Sequence, residues 1–297
     1  MIKLTRQNYH TIENNLISSS KVRDFLKSKE LYYRRHIEGS LSSDETNSIT
    51  LGRIVDRVLY QGTTYHFYRT YRLKVLKKED AEQFAKQKTL DDRRILTPVM
   101  YYQLIAICEK ALRSPFYLAY KDKKVKSFKQ LILQMPYEFI NESIATPGIC
   151  GMLDRLTFNG NTAYIDDFKT SAMGNMRSAK GWVYNCYGSN YFVQMAVYRW
   201  LVQQIYPEFE HYVCRHIVLG TSKTDLYPIR LYVIPDTYID EAEKIFFNAV
   251  RNIVLEQDWI DPLPAWEEAE TLPTPEEMDH IIDNSMSDLE EIDKDRG

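Results

Sequence analysis

Only four cysteines occur in 297 residues, at positions 108, 150, 186 and 214. No two form a Cys-x-x-Cys pair, which argues against a zinc knuckle or a clustered iron–sulfur motif. Reduced, buried thiols are the expected state. No run of about 18 apolar residues is present, so no membrane-spanning helix is expected. The opening residues, Met1-Ile2-Lys3-Leu4-Thr5-Arg6, lead straight into polar sequence without the apolar stretch of a secretory signal; a cytoplasmic protein is the expectation. A phosphate-binding loop of the form G-x-x-x-x-G-K-[ST] is lacking, so no ATP-driven step is expected from this chain. Internal repeats are also missing.

What is present is an ordinary globular composition with an uneven charge. Hydrophobic residues make up 44% and the net charge is −3. From Trp266 to Gly297 there are twelve acidic and two basic residues, a net −10. The remainder then holds 36 Lys and Arg against 29 Asp and Glu, a net +7. A mildly basic body is compatible with a phosphate backbone and does not establish one. The acidic tail, 263–297, has three readings: a flexible solvated segment, a competitor of DNA for the basic body, or a dock for a partner protein.

Hydrophobic periodicity then assigns the elements. Ser18-Ser19-Ser20 caps a helix or helix pair that begins with Val22, Phe25 and Leu26 and stops near Gly39. Helices are expected over 49–60, over the charged stretch 77–88, and from Thr97-Pro98 to about Leu112. The period then changes to two: Phe128, Leu131, Leu133, Met135, Tyr137 and Phe139 alternate over 125–140. Residues 149–158 and 162–168 read as a hairpin around Asn159-Gly160-Asn161. A small-residue loop, 171–181, is followed by a strong helix over 188–206, strands over 211–219 and 226–234, and a last helix over 238–255. The expected fold class is α/β (α+β): a central mixed β-sheet flanked by helices. The expected organisation is one domain over 1–262, with a helical region at 18–120 and a core at 125–255.

The hairpin carries the chemistry. Its two strands bring Asp154 and Asp167 near one another, and Lys169 shares the face of Asp167. Two carboxylates and a lysine at a sheet edge suit a hard divalent cation and a water beside it. Asp166 points to the opposite face and is expected to have no catalytic part. Gln194 and Tyr198 stand four residues apart on one helix face.

The ordered set Gly151-x-x-Asp154, Asp167-x-Lys169-Thr170 and Gln194-x-x-x-Tyr198 resembles the PD-(D/E)XK nuclease superfamily. Within it the set looks like the RecB-like branch that includes exonuclease VIII and other phage recombination exonucleases. Ser18-x-Ser20-x-Val22-x-x-Phe25 followed by Tyr32 or Tyr33 resembles the N-terminal segment of that branch, and Glu138 matches a glutamate often found before the metal strands. Asp56, in Gly52-x-x-x-Asp56, stands where histidine is usual, and is read either as a metal ligand or as a helix-surface carboxylate. Leu153 stands where the family has proline. The resemblance spans about residues 17–234.

It implies a restriction-endonuclease-like core with N-terminal helical additions, and Mg²⁺ or Mn²⁺ held by Asp56, Asp154, Asp167 and the Phe168 carbonyl. Asp154, Asp167, Lys169, Gln194 and Tyr198 form the implied catalytic set, with Lys169 orienting a water or helping to deprotonate it, or serving only as an ion-pair partner. Ser20, Arg34, Arg35, Arg177, Lys180, Trp182 and Tyr191 are the candidate DNA contacts, the aromatics by stacking on bases. The implied activity is that of an ATP-independent exonuclease acting on duplex DNA ends in phage-type recombination or repair, leaving a single strand. Alternatives are a structure-specific or CRISPR-adaptation-type endonuclease, and a catalytically idle DNA-binding protein of the same fold. Implied partners are DNA, a single-strand annealing or binding protein at the acidic tail, and further copies of the chain.

Overall fold

The structure, a computed structural model, describes Tyr9 and residues 16–41, 66–67, 95–96, 98–115, 125–139, 144–145, 148–171, 178–221 and 227–256, with helical positions 51, 52, 54, 55, 58 and 59. The chain divides into two units, Met1–Trp259 and Ile260–Gly297; the fold below belongs to the first. The expected helix over 77–88 and the acidic tail lie outside the described residues.

A six-stranded mixed sheet forms the frame. Its central members are β7 (Ile149–Asn159) and β8 (Thr162–Ser171), an antiparallel hairpin turned at Gly160, whose φ is +56°. β8 then pairs in parallel with β9 (His211–Gly220) along its whole length, and β9 pairs antiparallel with β10 (Ile229–Val233). A parallel pair needs a crossover. Here it consists of two helices, α4 (Ala179–Gly188) and α5 (Tyr191–Ile205). α4 begins inside the stretch expected to be loop. Asn190, at φ +52°, separates it from α5, a left-handed turn that asparagine tolerates.

The remaining edge of the sheet explains where the site lies. β4 (Lys126–Met135) runs along one side of β7 from Ile149 to Phe158. The other side of β7 is shared. β8 pairs with it only from Asn159 back to Arg155, while β1 (Ile17–Ser18) pairs in parallel with Ile149 and Cys150. Between these partners, residues 151–154 of β7 face a fork. The β4 ladder is also disturbed there. It pairs Lys129 with Arg155 and Leu131 with Leu153, and skips Gln130, which is buried at φ +48° opposite Asp154. A non-glycine residue in that region is strained.

Helices cover both faces. On one, Met195, Leu201 and Val202 of α5 and Ile239, Phe246 and Val250 of α6 (Asp236–Leu255) pack with Leu153, Leu156 and Ile165 of the strands. On the other, Leu51, Ile54, Val55 and Leu59, with Leu104 and Ile107 of α3 (Pro98–Arg113), pack against Ile217, Leu219 and Phe168. A Cβ at Gly52 would lie 2.9 Å from Thr170 Oγ1, so this glycine sets how closely the 51–59 helical positions approach β8. The N-terminal segment is α1 (Ser19–Lys27), α2 (Lys29–Tyr32) and a π-turn over Tyr33–Ile37, followed by Gly39 at φ +73°. Ser18 accepts from Lys21 N and caps α1, as the serine run led one to expect. Ser28 divides this stretch into the helix pair by capping α2.

Gly151 is where α5 comes closest to β7: a Cβ there would lie 2.9 Å from Leu201 Cδ1 and 3.0 Å from the Tyr198 ring. Gly151→Ala is therefore expected to cost about 1–3 kcal/mol by overpacking, read from the denaturant midpoint at unchanged m-value.

Candidate active site

Asp154 and Asp167 meet at the fork. Asp154 Oδ2 accepts from the backbone N–H of Phe168 at 2.8 Å, bridging the gap where β7–β8 pairing has stopped. Asp167 is 1% exposed. Lys169, two residues along and on the same face, puts Nζ 2.5 Å from Asp167 Oδ2. That contact is an ion pair rather than an aligned hydrogen bond, and Oδ2 makes no hydrogen bond within the structure described.

Lys169 is held from three sides. Nζ donates to Gln194 Oε1 at 2.9 Å and lies 4.7 Å from the centre of the Tyr191 ring. An ammonium only donates, so it fixes which end of the Gln194 amide faces it, and Gln194 Nε2 donates in turn to Tyr198 Oη at 2.7 Å. Burial pushes the Tyr198 phenol well above its usual range, so this end of the chain stays protonated. The i, i+4 pair of α5 thus sets the direction of Lys169: Gln194 touches it and Tyr198 acts through Gln194.

Behind Asp167 stands a residue that the sequence reading passed over. His216 is its register partner on β9 and is fully buried. His216 Nε2 lies 3.9 Å from Asp167 Oδ2, and Nδ1 accepts from the indole N–H of Trp182 at 3.2 Å. Burial lowers the imidazole to about 4, against the opposing pull of Asp167, so the ring is neutral near pH 7. The signal was present: Arg215-His216 interrupts an otherwise apolar buried strand. Tyr9 was passed over too. The Met152 main chain hydrogen-bonds its hydroxyl, at the fork.

Asp166 lies on the far face, as expected. Arg215 binds it with two donors, Nε to Oδ1 at 2.6 Å and Nη2 to Oδ2 at 3.0 Å, and stacks on Tyr164.

The proposed DNA contacts are scattered. Trp182 corrects the sequence reading: it is 2% exposed, stacked on Tyr232 and hydrogen-bonded to His216, with no free ring face for a base. Tyr191 is half-buried between Lys169 and Arg23, whose guanidinium carbon is 6.0 Å from its ring centre. Ser20 is exposed and hydrogen-bonds Ser18 at 2.9 Å. Arg34 is exposed and pairs with Glu30, while Arg35 pairs with Asp24 at 3.1 Å beside His36. Lys180 is exposed in the first turn of α4. Glu138 is exposed on β5 (Glu138–Phe139), part of a separate two-stranded sheet with β6 (Ile144–Ala145). Asp56 and Arg177 lie outside the described residues.

The donors suit a hard cation. Among the described residues no cluster of three or more His, Cys, Asp or Glu side chains is poised to hold a metal. Two carboxylates meet the need of Mg²⁺, which is bound through one or two carboxylates and keeps several waters. The Asp167 oxygen without a hydrogen bond fits the same role.

Asp166→Ala would strand Arg215 against the sheet and is expected to cost about 3–5 kcal/mol of stability, measured by chemical denaturation.

Comparison with known proteins places the geometry. A family model for the PD-(D/E)XK nuclease superfamily matches residues 16–267. No curated protein matches the chain. A crystal structure from Eubacterium rectale, named "Putative exonuclease", is similar with a TM-score of 0.58 at 17% identity, covering 93% of this chain and 96% of that one. At that identity the likeness is one of fold. SSO0001 gives a TM-score of 0.36 at 12% identity, covering 82% of this chain and 80% of that one, too little to carry an argument.

Proposed function

Since the chain belongs to the PD-(D/E)XK nuclease superfamily, we propose that it is a metal-dependent deoxyribonuclease, an ATP-independent exonuclease acting on the ends of duplex DNA. The observation that carries this is the Asp154–Asp167–Lys169 group gathered at one fork of the sheet. The name of the Eubacterium rectale structure points the same way on exonuclease action. The phage-type recombination role and the docking of an annealing protein by the acidic tail rest on the sequence resemblance.

Asp154, Asp167 and the Phe168 carbonyl would hold Mg²⁺ or Mn²⁺, with Asp56 a further candidate ligand. The bound cation would supply charge neutralisation at the phosphate and an acidified water. The chain's own part is then direction. Lys169, steered by Gln194 and flanked by Tyr191, presents its ammonium beside Asp167, where it orients a water or stabilises an anionic phosphate oxygen. Gln194 and Tyr198 are positioning residues for that ammonium. Tyr191 is the aromatic nearest the ammonium and the remaining candidate for a base contact; Lys180 and Arg34 are the exposed candidates for phosphate.

Linear duplex DNA incubated with Mg²⁺ or Mn²⁺ is expected to release nucleotides, and a covalently closed circle is expected to persist. Asp167→Ala and Lys169→Ala should each lower the rate by about 10²–10⁴-fold, and EDTA should abolish it. Cutting of the circle favours an endonuclease. Absence of nucleotide release by the wild type, or variants as fast as it, removes the catalytic assignment. Gln194→Ala should slow the reaction by about 10–100-fold.

A further inference from the structure

We propose that His216 is a positioning residue for Asp167, set in one tautomer by the indole N–H of Trp182 so that its Nε2–H faces the Asp167 carboxylate from the buried side. This rests on the metal-dependent reading of the site above.

The argument is one of donors and acceptors. An indole nitrogen only donates. Trp182 Nε1 lies 3.2 Å from His216 Nδ1, so Nδ1 carries a lone pair, and a neutral ring must have its single proton on Nε2. Nε2 faces Asp167 Oδ2 at 3.9 Å, a separation at which the N–H dipole attracts the carboxylate in a water-excluded setting without forming a hydrogen bond. Neither His216 Nε2 nor Asp167 Oδ2 has a hydrogen bond elsewhere in the structure described. Both sit at matched register positions on adjacent parallel strands, which leaves them little freedom to move apart.

The surroundings hold the arrangement. Trp182 is stacked on Tyr232 at 5.7 Å between ring centres, and Cys186 Sγ stands 3.7 Å from the same Nδ1. The Tyr191 ring, which flanks Lys169, meets the imidazole edge-on at 6.1 Å. Lys169 and His216 therefore approach Asp167 through the same oxygen, Oδ2, the one without a hydrogen bond. A partner that orients a ligating group from behind typically changes metal affinity by about 10–100-fold when removed. A ring present only for packing would change stability alone.

The test uses the full chain. Nitrogen-15 histidine spectra of the wild type are expected to show His216 protonated at Nε2 and bare at Nδ1. Calorimetry with Mn²⁺ alone is expected to show about tenfold weaker binding in folded His216→Leu and Trp182→Phe. His216→Gln, which keeps a donor on that side, should return to within about threefold of the wild type. A ring protonated at Nδ1 overturns the proposal, as does a folded His216→Leu that binds Mn²⁺ like the wild type. If His216→Leu does not fold, Trp182→Phe decides by the same two readouts. Wild-type protein that binds no Mn²⁺ sinks the metal-dependent reading, and the positioning role with it. Intact wild-type binding with unaffected variants sinks the positioning role alone.

Discussion

A carboxylate shut away from water is costly unless its charge is met. Asp167, 1% exposed, is that carboxylate, and much of the molecule is arranged around meeting its charge. Lys169 arrives from its own strand, which only the alternation of a β-strand makes possible. Gln194 and Tyr198 arrive from the crossover helix that the parallel β8–β9 pair requires. His216 arrives from the neighbouring strand, with Trp182 behind it. Four elements converge on one charge, and three of them lie outside the hairpin that carries it.

The fork supplies the second constraint. A continuous β7–β8 ladder would satisfy backbone groups with one another and close the sheet where the two carboxylates meet. Pairing stops at Arg155–Asp166, Asp154 takes over the Phe168 amide, and Gln130 accepts a left-handed backbone directly opposite. Local regularity is given up where the two carboxylates lie, and the strain is held by dense packing on both faces. Gly151, by admitting Tyr198 and Leu201, brings α5 close enough for its Gln194 to touch Lys169.

Asp166 and Asp167 make the contrast plain. They are neighbours in sequence and identical in chemistry. Asp166 meets a guanidinium in two-donor geometry and is satisfied; it belongs to the structure. Asp167 meets one ammonium that is also engaged elsewhere, and an imidazole too distant for a hydrogen bond. The first is a closed ion pair. The second keeps an oxygen without a hydrogen bond, and for that reason Asp167 rather than Asp166 is the proposed metal ligand.

The hairpin, the α5 helix, the α6 helix and the shared face of Asp167 and Lys169 were legible in the residues, because turn chemistry and side-chain periodicity are local properties. The order of motifs also carried the family, and with it the two carboxylates and the Gln-Tyr pair. The burial of Trp182 was not legible: an aromatic in a stretch of small and polar residues reads as exposed until a helix forms and β10 covers it. Nor was His216, since its importance lies in a register with a strand 49 residues earlier in the chain. The fork, the left-handed backbone at Gln130 and the approach of Tyr9 to Met152 were likewise hidden. Each follows from how distant strands share the edge of β7, a competition between long-range partners that no local pattern encodes. By itself, then, the sequence determined which groups carry the charge and on which face of their strand they lie. Only the tertiary structure decided which aspartate is closed off by a guanidinium and which keeps an oxygen without a hydrogen bond, because that depends on what packing brings from elsewhere.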